Sequence, residues 1–309
     1  MADARLLRRT AALRRLLSAR DQHRRGRHHV RDEVVDDSVL YVVMGSAAAA
    51  ERAVLQYRTW CRHAHCAFAT DDARNISGRY DAGMRLLHMS SRVPTRTSES
   101  CCANATSAAS RAFFCSSHRS KTLAAQYRFL PALQWAKRQL HASPRLQWVV
   151  LVDDDSFLFP RGMLRVLREH NGSDAVHLGD FWPDETTGAP QYACGGGGSI
   201  FSRGALAQMD LAHCIRSLHR QCSQSDWMIG ECARAARVRL VPNHGCTCRR
   251  WDEHTEADVR ARLSEGSCSF FQFPNSPGSR GGPFKDLMAL LRTAGRPGPA
   301  VVHQLDRLV

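Results

Sequence analysis

The chain predicts an α/β fold, and three observations carry that expectation. Four short runs rich in β-branched and other apolar residues, 38–44, 65–70, 148–152 and 175–178, have the length of buried strands. Stretches with apolar residues at helical spacing lie between them, such as Ala53-Val54, Tyr57 and Trp60-Cys61 after the first run. The third run, Trp148 to Val152, stops at three consecutive carboxylates, Asp153, Asp154 and Asp155. In open α/β sheets, ligands bind outside the carboxyl ends of the strands, so this junction is the first candidate for a site.

Taken in order, residues 1–37 form a basic, polar tail, and 38–309 form one folded domain. Ser38 to Met44 is the first strand. Gly45-Ser46 turns the chain, and Ala47 to Cys61 has helix composition. His65 to Thr70 is a second strand ending at Asp71-Asp72. This strand–turn–helix–strand unit reads as the start of a nucleotide-binding half, yet its turn has neither the dinucleotide-binding glycine pattern nor a phosphate-loop pattern. Residues 90–120, rich in Ser, Thr, Arg and Cys, read as a long loop tied by Cys101, Cys102 and Cys115. A helix is expected from about Lys121 to Leu140, kinked at Pro131. Further helices are expected at 160–170, 202–209 and 225–236, a strand at 238–241, and a last helix near 285–291.

The net charge of +14 is unevenly placed, because residues 1–31 supply +8 of it from ten Arg against two Asp. A solvated tail, a membrane-surface contact and a targeting segment all fit such a start. The folded part lacks the basic excess interleaved with aromatics that a nucleic-acid-binding protein needs. Twelve cysteines and three glycosylation sequons, at Asn75, Asn104 and Asn171, favour an oxidising secretory-pathway lumen such as the Golgi. No run of 18 apolar residues encodes a transmembrane helix, and no membrane anchor is visible. Cys214 and Cys222 are close enough in sequence to bridge. Cys232, His244, Cys246 and Cys248 have a zinc-like flavour, but the spacing favours disulfides.

Three carboxylates side by side need a positive charge nearby, and hard oxygen ligands suit Mg²⁺ or Mn²⁺ carrying a diphosphate. The bland alternative is a solvated acidic turn. Gly195 to Gly198, set between Tyr192-Ala193-Cys194 and Ser199-Ile200-Phe201, would let a ligand approach backbone closely. Asp226 opens a helical stretch, where an acidic residue also serves simply to cap backbone N–H groups. His303, reached by a short apolar approach, reads equally as the end of an ordinary terminal strand.

Four segments in order, Trp148–Leu158, Tyr192–Ser202, Ser225–Cys232 and Val302–Asp306, together resemble the Fringe-like β-1,3-glycosyltransferases of glycosyltransferase family 31, and the run from Met209 to Pro242 is most like the plant and algal branch. The resemblance implies a GT-A-like fold: a mixed sheet with helices on both faces, its nucleotide-binding half merging into an acceptor-binding half. It implies a UDP-sugar donor, Mn²⁺ (or Mg²⁺) and a glycan or glycoprotein acceptor. Carried over by position, Asp155 and Asp153 bind the metal with His303, Asp154 faces the donor, and Asp226 is the catalytic base. Ser46 and Lys121 lie near the donor nucleotide, and Gly196 and Gly197 give donor or acceptor a backbone surface. The expected reaction is an inverting transfer of a sugar to a hydroxyl, forming a β-1,3 linkage. The alternative is a catalytically inactive relative that binds glycans or a partner, motivated by Ser225, where the family carries an acidic residue.

Overall fold

The computed structural model describes residues 36–58, 60–61, 64–74, 78–89, 103, 125–158, 160–183, 190–218, 223–243, 246 and 271–272. Lys121, His303, the expected loop 90–120 except residue 103, Asn75, Cys222, His244, Cys248 and the expected helix near 285–291 lie outside them.

The strands are β1 (Val39–Met44), β2 (Cys66–Thr70), β3 (Leu86–His88), β4 (Trp148–Asp153), β5 (Ser156–Phe157), β6 (Val176–Gly179), β7 (Phe181–Pro183), β8 (Pro190–Ala193), β9 (Ser199–Ser202), β10 (Arg239–Pro242) and β11 (Phe271–Gln272). The helices are α1 (Ala50–Arg58), α2 (Phe129–Ala142), α3 (Pro160–Arg168), α4 (Arg203–Gln208), α5 (Leu211–Leu218) and α6 (Ser225–Ala235). Seven strands form one sheet in the order β10-β6-β9-β4-β1-β2-β3. Its members run parallel except β9, which is antiparallel to both β4 and β6. This is the mixed α/β sheet expected of a GT-A-like fold.

Side chains alternate across a strand, so each central strand feeds two cores. In β1, Val39, Tyr41 and Val43 join one apolar cluster, while Leu40, Val42 and Met44 join the other. The first cluster is covered by α1 and α3, through Ala50, Ala53, Met163 and Leu167. The second is covered by α2, α4, α5 and α6, through Leu130, Leu133, Ala136, Leu206, Leu211 and Ile229 among others. Helices therefore lie on both faces, and β1 and β4 at the centre are buried on both sides.

Two expectations are corrected. Pro131 does not kink α2, because the helix begins at Phe129 and the proline falls in its first turn, where backbone N–H groups have no partner within the helix. Cys214 pairs with Cys232, not Cys222, since α5 and α6 lie side by side. A second disulfide joins Cys61 and Cys66, and Cys194 and Cys246 are disulfide-bonded as well. No described helix is long and apolar enough to cross a membrane.

Candidate active site at the carboxyl edge of the sheet

The parallel strands β1, β2, β4 and β6 end on one edge, and the polar residues that follow them collect there. β4 carries Asp153 as its last residue, and the turn Asp154-Asp155 leads into β5. Asp154 donates its backbone N–H to the Met44 carbonyl at 3.0 Å, which ties this turn to the end of β1. Strand β11 pairs with β5, bringing a segment from far along the chain beside the three carboxylates.

Helix α1 aims two side chains at this turn, one helical turn apart on the same face. Arg52 Nη1 lies 3.5 Å from Asp154 Oδ1 and 3.9 Å from Asp155 Oδ2. Gln56, fully buried, donates from Nε2 to the Asp153 carbonyl at 3.1 Å. Burial, with repulsion from Asp155, lifts the Asp154 carboxyl up to about 7 despite the Arg52 contact. Asp153 is held well above the usual carboxylate range by burial and then by Asp155, Asp154 and Asp226. A cluster of hard oxygens that repel one another in this way fits a divalent cation, which would relieve the repulsion. Asp153 and Asp155 could offer it two carboxylates. Among the described residues, no group of three or more His, Cys, Asp or Glu side chains is arranged to hold a metal ion.

The glycine run lies next to the acids. Gly195–Gly197 form a 3-10 turn, and Gly198 ends it at φ 82°, a left-handed conformation that suits a residue without a Cβ. A Cβ on Gly195 would sit 3.5 Å from Asp153 Oδ2, so it is Gly195 that faces the carboxylates. Gly196 and Gly197 are buried beneath it. Buried Ser156 donates from Oγ to the Gly196 carbonyl at 2.9 Å and locks the glycine turn to the acidic turn.

Asp226 is the second residue of α6, so it is not the N-cap; that position belongs to Gln224. Its carboxylate accepts the Trp227 N–H at 2.9 Å and also the backbone N–H of Gly195. Burial nevertheless pushes it up to about 6, and its charge is felt at Asp153. Helix α6 reaches this place because β8 lies directly on it. A Cβ on Gly230 would fall 2.6 Å from the Gln191 carbonyl oxygen and 2.7 Å from Tyr192 Cβ. Gly230→Ala is expected to cost about 1–3 kcal/mol through overpacking, read as a lower urea midpoint at unchanged slope.

On the β1–β2 side, Ser46 precedes the 3-10 turn Ala47–Ala49 in extended conformation and makes no side-chain cap. The turn is fixed by Asp71, which accepts the Ala47 N–H at 2.7 Å and pairs with Arg128 Nη1 at 3.3 Å. Arg128 is buried, and burial lowers its pKa while Asp71 and Asp154 oppose that. Arg52, Gln56 and Arg128 escaped the sequence reading, since an Arg or Gln in a helical stretch looks like any solvated polar residue.

The Fringe-like family model matches residues 50–244, from the start of α1 to the end of the α6–β10 unit. The chain belongs to the Fringe-like family. Mouse beta-1,3-glucosyltransferase is 30% identical over 93 residues, which are 30% of this chain and 19% of the mouse protein. The Fringe-like chain thus matches about a fifth of that relative's length. The crystal structure of the galactosyltransferase LgtC with donor and acceptor sugar analogues superposes with a TM-score of 0.45 at 11% identity, covering 83% of this chain and 95% of LgtC. An active-site mutant of LgtC gives 0.43 at 12% identity over the same shares.

Proposed function

We propose that this Fringe-like protein is an inverting glycosyltransferase that moves a sugar from a UDP-sugar to a hydroxyl of a glycan or glycoprotein acceptor, forming a β-1,3 linkage. Family membership supports the glycosyltransferase class, and the mouse relative's name supports the linkage. The observation that carries the mechanism is Asp226: a half-buried carboxylate, raised to about 6, with the backbone N–H groups of Trp227 and Gly195 against it, beside the three-carboxylate turn.

Asp226 accepts the proton of the acceptor hydroxyl as its oxygen bonds to the anomeric carbon. The bond from that carbon to the diphosphate oxygen breaks on the opposite face, its electron pair leaving with UDP. A base with a pKa near 6 is ionised at neutral pH yet still attracts a proton in the transition state. The N–H groups of Gly195 and Trp227 fix the carboxylate's orientation, which is where the geometric part of the acceleration arises. Arg52 offsets negative charge at the donor end. A divalent cation on Asp153 and Asp155, with His303 as third ligand, would neutralise the leaving diphosphate. Ser46 and Lys121 are proposed to border the nucleotide, and Asp154 the donor sugar.

The test is release of UDP from a panel of UDP-sugars with Mn²⁺, beside EDTA and Asp226→Ala controls. Metal-dependent release that Asp226→Ala abolishes supports the proposal and names the donor. UDP binding with no turnover on mixed acceptors would favour the inactive, glycan-binding alternative. No UDP binding at all would remove the donor site.

A secretory-lumen location, in the Golgi, is supported by the disulfides Cys61–Cys66 and Cys214–Cys232 and by the sequon at exposed Asn171. Protein expressed through a eukaryotic secretory pathway should lose mass on N-glycosidase treatment, and Asn171→Gln should remove part of that loss.

A further inference from the structure

The hairpin of β7 and β8 bears a surface that the proposed chemistry leaves unused. Trp182, in β7, is 54% exposed and is the one exposed large hydrophobic residue among those described. It stands opposite Tyr192 in antiparallel register, and directly opposed residues project from the same face of a ribbon. The Tyr192 ring lies 5.8 Å from that of Trp227, tilted by 57°. Trp227 follows Asp226 and donates its N–H to the Asp226 carboxylate. Trp182 and Tyr192 thus share one face of the ribbon, and Tyr192 packs against Trp227, the residue that follows the proposed base.

The hairpin is also held firmly. β8 continues through Cys194 to Gly195, whose N–H reaches Asp226 and whose α-carbon faces Asp153. Gly230 seats the hairpin on α6 without room for a methyl group. At the other end, Phe181 packs edge-on against buried His177 at 5.1 Å, anchoring β7 to the main sheet. A platform fixed at both ends keeps its geometry when a ligand arrives, so little ordering cost opposes binding.

We infer that this face of the hairpin is part of the acceptor subsite, with Trp182 stacking against the apolar face of a neutral pyranose that the acceptor carries beyond its reacting sugar. The inference rests on the glycosyltransferase reading above. A pyranose presents a face of C–H groups, and the electron-rich face of an indole attracts them while its large flat area is buried. Phe181, Trp182, Pro183, Gln191, Tyr192 and Ala193 carry no charge, and the half-buried Asp226 carboxylate beyond Trp227 repels anions. An uncharged sugar therefore fits better than an acidic or sulfated one.

The experiment titrates ¹⁵N-tryptophan-labelled full chain with methyl glycosides of glucose, galactose, N-acetylglucosamine and fucose. The indole N–H resonance of Trp182 is assigned from Trp182→Phe. At least one glycoside should move it saturably, while buried Trp148 stays in place. With the donor identified, Trp182→Ala should raise the acceptor KM by about tenfold, the size of one aromatic contact, with kcat nearly unchanged, and Trp182→Phe should restore most of it. Absence of any saturable shift across the panel overturns the subsite, as does an unchanged acceptor KM in Trp182→Ala. If no donor turns over in the native protein, the transferase reading fails by itself, and the titration still decides whether the platform binds sugar.

Discussion

Asp226→Asn is expected to lower kcat by about 10²–10⁴-fold, the size of a general-base contribution, while UDP affinity stays close to that of the native protein. The asparagine keeps a carbonyl oxygen to accept the Trp227 N–H, so the loss falls on proton transfer and not on the start of α6. Its effect on stability has a definite sign. The Asp226 charge is one of those that raise Asp153, so replacing it by an amide removes a buried repulsion. The variant should melt no lower than the native protein at pH 7 in metal-free buffer. A variant that keeps kcat within tenfold would remove Asp226 from the role of base. One that loses activity only together with thermal stability would make it a structural residue.

The second large effect is acid sensitivity centred on His177. This residue lies fully buried on β6, stacked on Phe201 at 4.1 Å, edge-on to Phe181 and opposite Leu240 of β10. Neither ring nitrogen has a hydrogen-bond partner among the described residues, and burial lowers its pKa from 6.5 to about 3. Below pH 6.5 the unfolded chain therefore takes up a proton that the folded chain refuses. The stability this group contributes is complete above pH 6.5 and is lost as pH falls toward 3, on the order of 4 kcal/mol in all. Asp154 and Asp226 act with the opposite sign. Raised to about 7 and 6, they hold protons in the folded state that the unfolded chain gives up, so they favour the fold at low pH and lose that contribution as pH rises. The difference between the native protein and His177→Phe isolates the histidine. At pH 7 the two should agree within about 1.5 kcal/mol, because an aromatic replaces an aromatic and two unsatisfied nitrogens disappear. At pH 4 His177→Phe should be the more stable by several kcal/mol in urea titrations. Equal stabilities at pH 4 would mean that the imidazole is protonated inside the fold.

By itself the sequence determined the class of the fold and the edge of the sheet where the three carboxylates lie. A run such as Trp148 to Val152, short, β-branched and ended abruptly by Asp153, reads as a buried strand delivering carboxylates to one end of a sheet, because length, composition and period are local properties. The same holds for the helix that opens near Asp226 and for the glycine turn after Cys194, where Gly198 takes a left-handed φ of 82°. What the tertiary structure alone decided is who meets whom. Arg52 faces Asp154 across 102 positions, and Gln126 accepts the Ser225 N–H across 99. Cys214 chose Cys232 over its nearer neighbour Cys222 because two helices pack side by side, and Tyr192 joined Trp227 because Gly230 lets a hairpin settle on α6. Such pairings depend on register and on chain crossovers, such as the return of β9 between β4 and β6. Propensity and periodicity contain neither, since they record which face of an element is buried and not what buries it.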